Sequence, residues 1–197
     1  MRRTSRILIV TASLAAALTV GACSADGGHG GMSAMTGMGS TPTGSRSSGA
    51  ASDVMFAQMM VPHHQQAIEM ADVAESKAQS PQLKKLAANI KAAQGPEIST
   101  MNAWLKQWGA PATAGGMDHG TDGMMTDADM SKLRRASGAE FDRMWLTMMI
   151  AHHQGAVTMA KNALASTANM QVKALAQSIV DGQDSEIAIM KGMLAGG

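Results

Sequence analysis

The sequence has 197 residues and is nearly neutral, with 16 lysines and arginines against 15 aspartates and glutamates. Three arginines lie in the first six residues, so removal of residues 1–22 would give a net charge of −2, and nothing in this charge pattern indicates nucleic-acid binding. The single cysteine excludes a disulfide within the chain, whereas the 20 methionines are unusually many.

Residues 1–22 have the order of a secretory signal, with arginines first and a mostly apolar run after them. The sequence Val-Gly-Ala-Cys, which ends at Cys23, resembles the lipobox of bacterial lipoproteins and implies cleavage before Cys23 and lipidation of its sulfur. An ordinary signal peptide with an incidental cysteine is the alternative. We expect secretion across the cytoplasmic membrane and anchoring to its outer face through Cys23, which leaves methionine and histidine for any soft-metal site.

Residues 55–71 and 144–160 carry the same pattern: Met-Met, two further residues, His-His, and a methionine six residues after the second histidine. Such an internal duplication indicates that the fold is built from two equivalent units, whatever the individual segments form. The correspondence continues at a constant offset through these pairs: Asp53 and Asp142, Gln94 and Gln183, Glu97 and Glu186, Met101 and Met190.

Residues 23–51 are rich in glycine, serine and methionine, which predicts a flexible tether. The first hairpin is predicted over 52–108. Its first helix begins near Ser52 as N-cap and ends near Lys77, and its second opens with Ser80 as N-cap and ends near Gly109.

A linker over 109–136 is also glycine-rich, and Thr126 with Asp129 resembles a capping box that starts a short helix. The second hairpin is predicted over 137–195, with helices from about 139 to 165 and from about 169 to 194. Two hairpins and almost no strand pattern indicate an all-α fold, an antiparallel four-helix bundle over 52–195.

The repeated pairs bring possible metal ligands to one helix face, because residues three and four apart are neighbours on a helix. Met59, His63 and Met70 share a stripe, and Met60 with His64 forms a second pair. Thioether with imidazole selects Cu(I) or Ag(I) over hard cations. Alternatively, the methionines fill the core and the histidines are core residues. The candidate ligands are His63, His64, Met59, Met60, Met70, His152, His153, Met148, Met149 and Met159.

Interior carboxylates need partners, because burying an unpaired charge is costly. A hairpin that turns near residue 80 places His63 level with about Glu97, and the second hairpin places His152 level with about Glu186. These side chains could orient the histidines through the other ring nitrogen, ligate metal directly, or fix helix register. The set comprises Glu97, Gln94, Glu186 and Gln183.

Methionine and histidine also punctuate the two glycine-rich segments, where they could capture copper and pass it inward. A solvated linker with incidental methionines is the alternative. The residues are His29, Met32, Met35, Met38, Met117, His119, Met124 and Met125.

The two Met-Met-x-x-His-His segments are each followed by Gln-x-x-Glu-Ile-x-x-Met, as QGPEISTM and QDSEIAIM. Together they resemble the secreted bacterial family catalogued as domain of unknown function 305, and the resemblance covers residues 52–195. It implies a ferritin-like helical bundle. Some members of the family are periplasmic copper-binding proteins associated with copper resistance, so the resemblance also implies a role in copper homeostasis.

We interpret the chain as a membrane-tethered, extracytoplasmic protein that sequesters or relays copper, as Cu(I), with no organic cofactor and without turnover. A copper donor or acceptor protein would be its partner. Whether the repeats share one site or hold one each stays open. One alternative is a ferritin-like di-metal oxidase or peroxidase, although the Glu-x-x-His signature is absent and only two interior glutamates occur. The other is a metal-free helical interaction module.

Overall fold

The computed structural model describes residues 50–112 and 123–196, which form five helices and no strand. The predicted all-helical class is therefore confirmed. The signal segment, Cys23, most of the tether, Met117 and His119 lie outside the described residues. The helices are α1 (Ala51–Lys77), α2 (Pro81–Trp108), α3 (Asp127–Arg135), α4 (Gly138–Ser166) and α5 (Met170–Gly196).

Helix starts follow side-chain capping where the sequence supplies it. The Ser80 hydroxyl accepts a hydrogen bond from the Leu83 amide, and Thr126 forms a reciprocal capping box with Asp129, as predicted. The predicted N-cap at Ser52 is wrong, because the first turn of α1 closes earlier, on the carbonyl of Ala50, without a side-chain cap.

The long helices pack in two pairs, α1 with α2 and α4 with α5, and α1 also packs against α4. Within the first pair, His64 of α1 contacts Glu97 of α2, whereas Glu75, further along α1, contacts Lys91, which is earlier in α2. The two helices therefore run in opposite directions. None of the described helices has both the length and the apolar character needed to cross a bilayer.

Asp142 joins the second pair of helices to the first. Its carboxylate accepts hydrogen bonds from the backbone amides of Gln79 and Ser80, at 2.9 and 2.8 Å, in the turn between α1 and α2. The sequence suggests instead an acid in the first turn of its own helix, favoured by the helix dipole. The helix begins earlier, at Gly138, so Asp142 lies beyond that turn and is placed to cap the neighbouring one.

The buried core consists of two apolar clusters, and each draws on both helix pairs. The larger cluster includes Met70, Leu83, Ile90, Met130, Leu133, Phe141, Trp145, Met149 and Met190. The smaller cluster includes Phe56, Met60, Met101, Leu105, Ala160, Val172 and Ile179.

Between the two clusters, every long helix contributes buried polar side chains. On α1, for example, Met60 belongs to the smaller cluster and Ala67 to the larger, and both residues of the His-His pair lie between them. We call this cross-section the histidine layer; its members are His63, His64, Gln94, His152, His153 and Gln183.

Candidate metal centre

The four histidines of the layer are almost completely removed from solvent. His63 and His152 are 1% exposed, and His64 and His153 are 0% exposed. On α1 and α4, buried apolar residues lie both before and after each His-His pair. Because these residues pack in the core, the histidines between them are buried as well. A buried polar side chain is costly unless it is hydrogen-bonded or bound to a ligand, so each imidazole requires a partner.

Each glutamate of the second and fifth helices pairs with one of these histidines. The Nε2 atom of His64 lies 2.7 Å from Oε2 of Glu97, and Nε2 of His153 lies 2.8 Å from Oε2 of Glu186. Both glutamate side chains are 18% exposed, so these contacts are shielded from solvent. We call them the outer pairs.

The outer pairs correct the predicted partners. The hairpin geometry predicts Glu97 beside His63 and Glu186 beside His152, but the structure pairs each carboxylate with the second histidine of its repeat. Counting residues from the turn gives height along a hairpin, and adjacent residues differ little in height. They differ by about 100° in direction around the helix, which decides which ring faces the carboxylate.

The carboxylates also determine which ring nitrogen is available. An ionised carboxylate only accepts hydrogen bonds, so Nε2 of His64 and of His153 carries the proton and donates it. In the neutral form of each ring, which is the form that ligates metals, Nδ1 then carries a lone pair. Both Nδ1 atoms are buried and have no hydrogen-bond partner among the described residues. A histidine held by a carboxylate at one nitrogen, with the other nitrogen available, is the usual arrangement of a metal-ligating imidazole.

His63 and His152 meet at the contact between α1 and α4, where we call them the central pair. Their ring centroids are 3.8 Å apart, with the planes tilted by 40°. Burial, together with the neighbouring imidazoles of His63, His153 and His64, lowers the pKa of His152 to about 2, although the His63 backbone opposes this shift. The His152 ring is therefore neutral at physiological pH, which is the form that ligates metals.

The methionines predicted as metal ligands differ in how far they are buried. Met60 and Met149 are 0% exposed and lie one helical turn before His64 and His153, whereas Met59 and Met148 are partly exposed. Met60 packs in the smaller apolar cluster and Met149 in the larger. The pairs at this spacing therefore bring a thioether to the edge of the histidine layer while also filling the core.

The last methionine of each repeat lies further from the layer. Met70 is 0% exposed in the larger cluster, and Met159 is partly exposed against the smaller one. Each is seven residues beyond the first histidine of its repeat, about 10 Å along the helix axis. Their position favours core packing over a place beside the central pair.

Two buried amides complete the layer. Gln94 is 2% exposed and Gln183 is 4% exposed. Both amide atoms of Gln94 and the Oε1 atom of Gln183 are buried and have no hydrogen-bond partner among the described residues. The layer thus holds several unsatisfied polar atoms in its middle, which indicates a place for a bound ion or for ordered water.

The residues fit a soft metal ion better than a hard one. Within the described ranges, no group of three or more His, Cys, Asp or Glu side chains is arranged to hold a metal ion. The buried histidines of the layer and the buried methionines one turn away offer imidazole nitrogen and thioether sulfur, a set that favours Cu(I) or Ag(I) over hard cations.

Sequence reasoning missed one contact at the layer. Gln66, near the His-His pair of α1, is hydrogen-bonded to the backbone of Met125 in the linker. The duplication gave no indication of it, because the second repeat has Gly155 at the corresponding position.

These features define a helical protein with a duplicated histidine layer. The family model described as "Domain of unknown function (DUF305)" matches residues 53–194. The chain therefore belongs to the DUF305 family, as its motifs indicated. A comparison with curated proteins found no match.

Several solved structures resemble the chain. A DUF305 protein from Streptomyces coelicolor, described as a predicted secreted protein, is 34% identical with a TM-score of 0.70, over 73% of this chain and 91% of that one. A DUF305 fragment from Deinococcus radiodurans is 33% identical with a TM-score of 0.69, over 75% and 97%. CopM in its Cu(II)-bound form is 40% identical with a TM-score of 0.64, over 73% and 96%. CopM structures with Cu(I) and with silver are similar as well.

Proposed function

We propose that this protein binds copper in its histidine layer, as Cu(I), and sequesters or relays the ion outside the cytoplasm. The observation that carries the proposal is the pair of buried imidazoles, His64 and His153, that are held by glutamates at Nε2 and have an available Nδ1. The likeness to CopM, which has Cu(I)-bound and silver-bound forms, supports the choice of metal.

The arrangement favours three ligand positions. Each outer pair offers an imidazole with a buried methionine one turn away, Met60 for His64 and Met149 for His153. The central pair, His63 and His152, brings one imidazole from each repeat to a single place. Under this proposal, each repeat has its own outer site, and the two repeats share the central one.

The fold proposed for this function is an antiparallel four-helix bundle of the ferritin-like type, made of α1, α2, α4 and α5. The opposite directions of α1 and α2 and the equivalent outer pairs in the two hairpins support it. In such a bundle the ligands lie on facing helices around a shared interior. The interior glutamates number two, and the buried methionines suit an O₂-activating iron pair poorly, so a binding role is favoured over oxidase or peroxidase chemistry.

The test is an anaerobic Cu(I) competition titration of residues 24–197, with metal counted by elemental analysis. We expect His64→Ala with His153→Ala to lose the tight sites while helix content stays near wild type. Gln65→Ala with Gln154→Ala is the matched control, because these exposed residues directly follow the same histidines. Equal Cu(I) affinity in the histidine variant and the control would contradict the proposal, and an absence of metal binding in the wild type would favour a structural role.

We further propose that lipidated Cys23 anchors the protein to the outer face of the cytoplasmic membrane, on the support of the lipobox-like sequence. Cys23→Ser is expected to move the protein from the membrane fraction to the soluble extracytoplasmic fraction. Retention of the variant in the membrane fraction would contradict lipid anchoring. A copper donor or acceptor protein is the proposed partner of this anchored form.

A further inference from the structure

Residues 123–125 cross from α4 to α1 beside the histidine layer. At the α4 end, a Cβ atom added to Gly123 would lie 3.1 Å from Cα of His152 and closer still to the carbonyl oxygen of Ala151. Gly123 also has φ +79°, a conformation that other residues rarely adopt. The backbone therefore passes directly over the helix turn that carries one histidine of the central pair, and only glycine fits there.

At the α1 end, one side chain holds the segment by its backbone. Gln66 donates from Nε2 to the carbonyl of Met125 at 2.8 Å and accepts from the Met125 amide at Oε1 at 2.7 Å. Gln66 lies one turn after His63, which carries the other imidazole of the central pair. Both hydrogen bonds are partly buried, and Met125 packs against the larger apolar cluster.

The chain that follows stays attached to α1. Arg134 of α3 pairs with Glu69, and the Lys77 ammonium donates to the carbonyl of Ala136. The attachment to α1 therefore begins at residues 123–125, which lie at the level of the histidine layer. The second repeat has no counterpart, since Gly155 stands where Gln66 would be and has no side chain to bond a passing backbone.

We propose that Gly123–Met125 is a strap over the seam between α1 and α4, and that the Gln66 clamp limits how fast a metal ion enters and leaves the central pair. The proposal rests on the proposed function and adds the control of exchange at the same site. A strap that only blocks the route slows binding and release equally. Its loss therefore changes both rate constants and leaves the dissociation constant almost unchanged.

The test compares Gln66→Ala with Gln65→Ala, which alters the exposed neighbouring residue. Titration gives the Cu(I) dissociation constant, and anaerobic stopped-flow transfer to a coloured Cu(I) chelator, extrapolated to zero chelator, gives the release rate. We expect Gln66→Ala to release Cu(I) about tenfold faster with a dissociation constant within about twofold of wild type, because two hydrogen bonds are lost. Gln66→Glu, which keeps the acceptor for the Met125 amide, should restore part of the slow release.

Hydrogen exchange of the Met125 amide in metal-free protein provides the second measurement. Faster exchange in Gln66→Ala than in Gln65→Ala is expected, since the strap opens more often. An opened strap with unchanged Cu(I) release would overturn the gating role while leaving the proposed function intact. Weakened affinity that accounts for all of the faster release would also overturn it, since the strap would then supply a ligand. Absence of Cu(I) binding by wild type would refute the proposed function itself.

Discussion

Replacing Glu97 by glutamine separates the effect of the carboxylate charge from that of side-chain shape. The two side chains have nearly the same size, so glutamine can still accept a hydrogen bond from His64. A hydrogen bond to a charged group contributes about 1.5–3 kcal/mol and a neutral one about 0.5–1.5 kcal/mol. Because Glu97 is 18% exposed and His64 is 0% exposed, solvent screening removes little of this difference.

The carboxylate raises the basicity of the His64 ring as a metal ligand, so its replacement costs the metal-bound state more than the metal-free state. We take this extra cost as about 1–1.5 kcal/mol, on a scale where about 1.4 kcal/mol is a factor of ten in affinity. We expect Glu97→Gln to weaken Cu(I) binding about fivefold to tenfold at one outer site and to leave the other unchanged. The part of the competition titration that belongs to the two outer sites should split into two phases. Adding Glu186→Gln should weaken Cu(I) binding at the second outer site by a similar factor, so that the two outer sites titrate together again.

Glu140→Gln is the matched control, since it makes the same chemical change at an exposed residue near the start of α4. Far-UV circular dichroism checks that each variant keeps its helix content. If Glu97→Gln and Glu140→Gln bind Cu(I) alike, the outer carboxylates fix helix register and do not tune a metal ligand.

Three further outcomes follow from the described contacts. The pKa of His152 is lowered from 6.5 to about 2, so below pH 6.5 the unfolded chain binds a proton at this residue that the folded protein does not. The urea-unfolding free energy of metal-free protein should therefore fall by about 1.4 kcal/mol for each unit by which the pH is lowered below 6.5, and less steeply in His152→Asn. Asp142→Ala should cost about 2–3 kcal/mol in the same assay without changing Cu(I) affinity, since it removes both acceptors at the α1–α2 turn. Gln94→Leu should stabilise metal-free protein by about 1 kcal/mol, because it removes an unsatisfied buried amide; a destabilised variant would indicate a partner for that amide.

The helices could be predicted from sequence because local signals and periodicity agree. Ser80 and the Thr126–Asp129 capping box begin their helices where the residues indicate. The predicted N-cap at Ser52 is wrong because the first turn already closes on the carbonyl of Ala50, two residues earlier, so that Ser52 lies inside the helix. The prediction therefore succeeded for the existence of helices and was least accurate at their ends.

The interior position of the histidines was predictable, whereas their partners were only partly so. The duplication and the apolar stripe placed the His-His pairs inside, and hairpin counting found the correct height for the glutamates. The choice between His63 and His64 depends on how each helix is rotated against its neighbour, which packing of whole helix faces determines. Gln66 was not predictable, since its partner is a backbone group distant in sequence.

The composition of the two apolar clusters bears on how the duplication arose. Each cluster combines residues of the first hairpin with residues of the second, such as Ile90 with Trp145 in one and Phe56 with Ile179 in the other. A lone hairpin of this kind would have had no complete core. A single repeat would need a second copy to complete this core, and a symmetric pair of repeats would bring the equivalent of His63 against its own copy on a twofold axis. Because both copies lie in one chain, they need not be identical, and only the first carries a glutamine where the second has Gly155.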